Sequence, residues 1–102
     1  MSNMQVAKTI LEQLGGGRFL VMTGAKNLVG SHDALTMKLP SNLTKGRITH
    51  LRVTLTAADD YTVETFKIRG TQPVVKAERA DGVYCDMLQD TFLSMTGLYT
   101  RF

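Results

Sequence analysis

Two histidines, one cysteine and one pair of adjacent aspartates are the first candidates in this 102-residue sequence for catalysis or metal binding. His32, His50 and Cys85 stand far apart, whereas a metal site legible in sequence has ligands clustered at matched intervals. A cysteine nucleophile needs a base to hold it as thiolate. Cys85 instead adjoins an apolar stripe, where a small buried or half-buried filler is expected. Asp59-Asp60 has the donor type of a divalent-cation pair, yet adjacent aspartates at a strand connection read as turn formers that bond local amides. Gly15-Gly16-Gly17 follows a helical pattern and lacks the lysine of a phosphate-binding loop, so it reads as a helix stop with a loose connection beyond it. No catalytic residue, metal site or cofactor is expected, and the chain does not read as an enzyme.

Charge is the more informative signal. The net charge is +3, with seven basic and two acidic side chains in residues 1–58 against five and seven in residues 59–102. No acid lies between Ala34 and Ala58, a stretch holding Lys38, Lys45, Arg47, His50 and Arg52, which makes it the expected electropositive surface. Glu64 or Glu78 on neighbouring strands would offset that field if the fold brought them alongside.

The elements that position these groups follow from periodicity. Ser2-Asn3-Met4-Gln5 reads as a capping box, and Met4, Ala7, Ile10, Leu11 and Leu14 recur at helical spacing over residues 3–14. Arg18 to Met22 is a short apolar run bounded by glycines and is expected to be a central strand covered on both faces. A turn at Gly24 to Asn27, a short extended piece at Leu28-Val29 and a turn at Gly30 to Asp33 should follow. Leu35, Met37 and Leu39 alternate with Ala34, Thr36 and Lys38 as a half-buried strand, and residues 40–46 form a polar loop.

Residues 48–56 alternate most cleanly: Leu51, Val53 and Leu55 point one way, and His50, Arg52, Thr54 and Thr56 the other. The strand from Tyr61 to Arg69 changes phase between Val63 and Phe66, and a bulge near Glu64-Thr65 would return all its apolar residues to the core side. Val74 to Ala77 reads as a short edge strand beside Pro73, and Asp81-Gly82 as a turn and helix start. Tyr84, Met87, Leu88, Thr91, Phe92 and Met95 trace the last helix, which Gly97 should end with Leu98 folded back. Met4, Met22, Met37, Met87 and Met95 all read as core packing.

The expected fold is therefore one α+β domain over residues 1–102, an antiparallel four- to five-stranded sheet with an N-terminal and a C-terminal helix packed on one face. The opposite face would carry Thr36, Lys38, His50, Arg52, Thr54 and some of Lys67 or Arg69. No apolar run approaches the ~20 residues that span a bilayer. With a single cysteine and no signal-like sequence, no membrane partner and a reducing, cytoplasmic setting are expected.

Three segments taken together resemble a known group: Arg18 to Asn27, Leu55 to Tyr61 with Lys67 to Gly70, and Gly82 to Leu88 through Phe92 to Thr100. The combination, over most of residues 5–102, is similar to a family of small proteins encoded by bacteriophages, prophages and plasmids, sometimes described as ArdK-like transcriptional inhibitors. The family pattern has an aromatic residue near Thr65, so the strand register there stays open. The resemblance implies no cofactor or catalytic residue, and its transcription-regulating label implies contact with DNA.

The leading expectation is a phage-type accessory protein that binds nucleic acid without catalysis. Lys38, Arg52, Lys67 and Arg69 would contact phosphates, His50 would add hydrogen bonds, and Lys26, Lys45 and Arg47 would extend the footprint. Two alternatives stand beside it. One is a modulator whose basic face meets an acidic host defence or regulatory protein. The other is an assembly component that dimerises through the edge strand around Val74-Val75, against which Pro73 and Lys76 give modest protection.

Overall fold

Helical spacing buries Ala7, Ile10 and Leu14 along one side of the first helix, and strict alternation buries Leu51 and Val53 on one side of the central strand. These two faces meet. The computed structural model describes residues 5–68, 70 and 74–100. In chain order they form α1 (Gln5–Leu14), α2 (Gly16–Thr23), β1 (Lys26–Gly30), β2 (Ala34–Lys38), a 3-10 turn (Lys45–Arg47), β3 (His50–Leu55), β4 (Tyr61–Lys67), β5 (Val75–Val83), a second 3-10 turn (Cys85–Met87) and α3 (Leu88–Thr96). The strands make one antiparallel meander in the order β1-β2-β3-β4-β5. Ser2, Asn3 and Met4 of the expected capping box, Arg69 and Pro73 lie outside the described residues.

The helices cover one face. Leu35 and Met37 of β2, Leu51 and Val53 of β3, and Tyr61 and Val63 of β4 join a single cluster with Ala7, Ile10, Leu14, Phe19, Leu88, Phe92 and Met95 from the three helices. Within it the rings of Phe19 and Phe92 meet edge to face, 5.0 Å between centroids at 74°. Polar ties lock the layers: the Tyr61 hydroxyl donates to Gln13 Oε1 at 2.6 Å, and the Gln89 amide to the Leu14 carbonyl at 3.0 Å. Gly97 ends α3 in a left-handed conformation, its N–H donating to the Leu93 carbonyl at 2.8 Å, and Leu98 packs back into the core. No described helix is long and apolar enough to cross a membrane.

Several expectations need correction. Residues 18–22 are helical, not a central strand. Phe19 and Thr23, one helical turn apart, are buried while Val21 is 82% exposed, and the Thr23 hydroxyl donates to the Phe19 carbonyl at 2.7 Å. The glycine triplet is a sharp joint between two helices. Gly15 takes φ 128°, and a Cβ there would lie 3.2 Å from that of Phe19. Lys26 and Asn27, expected in a turn, accordingly begin β1.

The irregularity of the β4 region lies in its neighbour. β4 pairs with β3 without interruption, Leu51 opposite Thr65 and His50 opposite Phe66. Phe66 therefore leaves the core face, and fully buried Thr65 takes the core position. The extra residues sit in β5: Thr65 opposes Glu78 while Phe66 opposes Lys76, and Tyr61 opposes Val83 while Val63 opposes Ala80. The Thr65 hydroxyl accepts the Glu78 N–H at 3.0 Å, which anchors the first irregularity.

Asp81-Gly82 is neither a turn nor a helix start. β5 runs through it to Val83, with Gly82 absorbing the second irregularity at φ 67°. The buried stripe of the last helix begins at Leu88, leaving Tyr84 and Met87 exposed. Cys85 is exposed as well, in the preceding 3-10 turn, and is no core filler.

Candidate functional site

The sheet face opposite the helices carries the basic side chains, and strand register arranges them in rows. Lys26, Lys38, His50, Phe66 and Lys76 are successive cross-strand partners, one from each strand. The next row on the same face runs Thr36, Arg52, Glu64, Arg79. A third holds Ala34, Thr54 and Thr62. Alternation within each strand puts these groups on one side, and cross-strand pairing brings side chains distant in sequence to adjacent positions.

Phe66 is the one large apolar side chain in the first row. It is 7% exposed yet lies apart from the helix-side core, and the Arg52 guanidinium carbon sits 5.3 Å from its ring centroid. Arg52 thus shields the ring and takes a cation–π contact, while no carboxylate of the described residues ion-pairs with it.

The positive field is uneven. Toward β5, Glu64 lies 4.0 Å from Lys76 and 3.9 Å from Arg79, and Arg79 bonds Asp81 at 3.0 Å. The Arg79 hydrogen bond, then that from Thr62, holds the Asp81 carboxyl below the usual carboxylate range. Glu78 falls on the parity of Thr65 and offsets nothing on this face. Toward β1, Lys26 stands opposite Lys38 and Lys38 opposite His50, and no described carboxylate forms an ion pair with either lysine. Burial, then the neighbouring Lys38 charge, pushes the His50 imidazole below its ordinary value.

At the end of this basic half the sheet opens into a cavity of about 570 Å³, bounded by Lys38, Ser41, Asn42, Arg47, Thr49 and His50 over Leu39 and Ile68. Arg47 reaches it from the 3-10 turn with a left-handed backbone, φ 57°. His50 Nδ1 lies 2.8 Å from the Thr49 hydroxyl, which also accepts the Ile68 N–H at 2.8 Å.

Of the residues singled out in the sequence, the structure brings together Lys26, Lys38, His50 and Arg52, with Arg47 adjoining them at the cavity. Lys67 sits on the parity of Val63 and Thr65, the helix side, because β4 carries no extra residue of its own. Lys45 Nζ donates to the Ser94 carbonyl at 2.7 Å near the end of α3, which ties it to the helix layer. Arg69 lies outside the described residues. Lys76, Arg79 and Phe66 complete the face, none of them singled out as a binding residue; the uninterrupted β3–β4 register and the irregular β4–β5 pairing were the missing information.

Among the described residues, no group of three or more His, Cys, Asp or Glu side chains could hold a metal ion. Asp59 and Asp60 serve the β3–β4 connection: the Thr56 hydroxyl donates to Asp60 Oδ1 at 2.5 Å, and Asp59 adopts φ 64°. Comparison with family models, curated proteins and solved structures finds no match to the chain.

Proposed function

We propose that this protein binds nucleic acid non-catalytically through the open face of its sheet, as a phage-type accessory protein acting in the host cytoplasm and, in line with the resemblance to ArdK-like proteins, as an inhibitor of transcription. One observation carries the reading. Lys26 and Lys38 occupy opposed positions beside His50 and Arg52 on a face that no described helix covers, and among the described residues neither lysine has a carboxylate partner. Like charges placed opposite each other across strands destabilise a sheet, and a polyanion relieves that repulsion.

The face favours phosphate contact over base stacking. Its ring, Phe66, is shielded beneath Arg52, so it offers no exposed platform of the kind that binds single strands. Backbone contact to a duplex fits better. With Lys26, Lys38, Arg47 and Arg52 each neutralising one phosphate, log K should fall against log salt with a slope of about −3 to −4. Fluorescence anisotropy with a labelled duplex over a salt series tests this, comparing the wild type with Lys38→Ala and Arg52→Ala. Uniform weakening across sequences supports the reading; no binding at low salt rejects it.

A second reading, a modulator of a host protein, draws on Val74 and Val75, exposed on and beside edge strand β5. Recovery of one specific partner from nuclease-treated lysate, lost in Val75→Lys, would favour it. A concentration-dependent dimer in sedimentation would instead point to edge pairing between copies.

A further inference from the structure

We propose that the cavity at the β2–β3 end of the sheet is a binding site for a phosphomonoester, the terminal phosphate of a nucleic acid strand or of a free nucleotide. The first of these sources rests on the nucleic-acid reading above.

The wall chemistry selects an anion. Lys38, Arg47 and His50 contribute three nitrogen cations or potential cations, the hydroxyls of Ser41 and Thr49 and the amide of Asn42 add neutral donors, and among the described residues no carboxylate borders the space. A guanidinium with an ammonium and hydroxyl donors is the donor set that phosphate oxygens take. The volume, about 570 Å³, falls within the range of small-ligand sites and leaves room beside a phosphoryl group for a sugar over apolar Leu39 and Ile68.

The dianion of a terminal phosphate is favoured over an internal diester because two cations and a histidine able to become a third line one cavity at the end of the face rather than spacing out along it. Arg47 reinforces the assignment: a non-glycine residue is held at φ 57° where a glycine would sit without strain, and its side chain borders the cavity. His50 is built to accept a proton when the anion arrives. Its Nδ1 can donate to the Thr49 hydroxyl, which in turn donates to the Phe66 carbonyl at 3.3 Å, leaving Nε2–H for the ligand.

The charged groups around His50 are Lys38 opposite on β2, Arg52 two residues along β3, Arg47 across the cavity, and Glu64 diagonally on β4. Burial, then the Lys38 charge, disfavours the imidazolium, and a bound phosphate would oppose that bias.

NMR titration of the two histidines provides the test, with inorganic phosphate as the first probe and chloride at matched ionic strength as control. His32, well exposed beside Asp33 at the β1–β2 turn, is the internal reference. Phosphate should raise the His50 titration midpoint by about one pH unit and leave His32 in place. Arg47→Gly, which suits the backbone at that position, should abolish the response without unfolding the protein. An unmoved His50, or equal movement of His32, overturns the site whether or not duplexes bind elsewhere.

The second arm compares a 5′-phosphorylated duplex, its 5′-hydroxyl counterpart and a deoxynucleoside 5′-monophosphate. A His50 response to the phosphorylated duplex at lower concentration than to the mononucleotide assigns the site to strand ends. A response to the mononucleotide with no difference between the duplexes assigns it to a free nucleotide. If inorganic phosphate moves His50 but no duplex binds in anisotropy, the phosphate site stands and the nucleic-acid reading falls.

Discussion

Lys26 and Lys38 occupy directly opposed positions on β1 and β2, two lysines facing one another on the open side of the sheet with His50 next in the row. A fold optimised for stability alone would place a carboxylate at one of these positions. Lys26→Glu should therefore stabilise the protein by ~0.3–1 kcal/mol, a cross-strand ion pair replacing a repulsion. The same change should weaken duplex binding by roughly 1–2 kcal/mol, about tenfold or slightly more. Urea denaturation and anisotropy on one preparation measure both. A variant that is stabilised and binds as tightly as wild type would show that Lys26 takes no part in the interface.

Arg52 has two separable duties, covering the Phe66 ring and presenting a charge. Arg52→Ala should cost about 0.5–1 kcal/mol of stability through the lost cover and cation–π contact, and should reduce the salt slope by about 1. Arg52→Met keeps much of the cover but no charge, so stability should lie near wild type while the slope falls equally. Equal destabilisation by both substitutions would mean that charge, not cover, is what Phe66 needs.

How much of this could be read in the sequence depends on the range of the interaction involved. The α1 stripe, the alternation of β2 and β3 and the Gly97 stop are local patterns, and the structure contains them. Arg18 to Met22 was ambiguous because a five-residue apolar run fits a buried strand or a helical turn equally; Phe19 and Thr23 decided it by packing four residues apart. The phase change in β4 was visible, but whether a bulge sits in β4 or in its partner depends on cross-strand pairing that no single segment encodes. That one choice moved Phe66 onto the open face and Lys67 off it. The basic row was half legible: Lys38, His50 and Arg52 came from alternation, whereas Lys26 and Lys76 join them only through register.

Stability should depend on pH through His50. Burial and Lys38 lower its folded-state value below the ordinary 6.5, so the unfolded chain binds the proton more readily. The neutral imidazole's contribution is then fully present above pH 6.5 and is lost as pH falls from there toward the lowered folded value. His50→Gln should flatten that part of the stability profile, measured by chemical denaturation from pH 8 to 5 in a non-phosphate buffer. An unchanged profile would assign the dependence to other groups.

Lys45 separates charge that stabilises the fold from charge that binds. Its ammonium donates to the Ser94 carbonyl in the last turn of α3, where a cation opposes the negative end of the helix dipole. Lys45→Met should lower stability by ~0.3–1 kcal/mol and leave duplex affinity within about twofold. A drop in affinity comparable to that of Lys38→Ala would extend the interface around the sheet edge.

The salt dependence of duplex binding by wild type and by the Lys26→Ala/Lys38→Ala/Arg52→Ala triple variant reaches the central claim most directly. Three phosphate contacts on one open face predict that the slope of log K against log salt becomes shallower by about 3 units in the variant, with its circular dichroism spectrum unchanged. A folded triple variant that keeps the wild-type slope and affinity would contradict the account, since the nucleic acid would then be held by another surface.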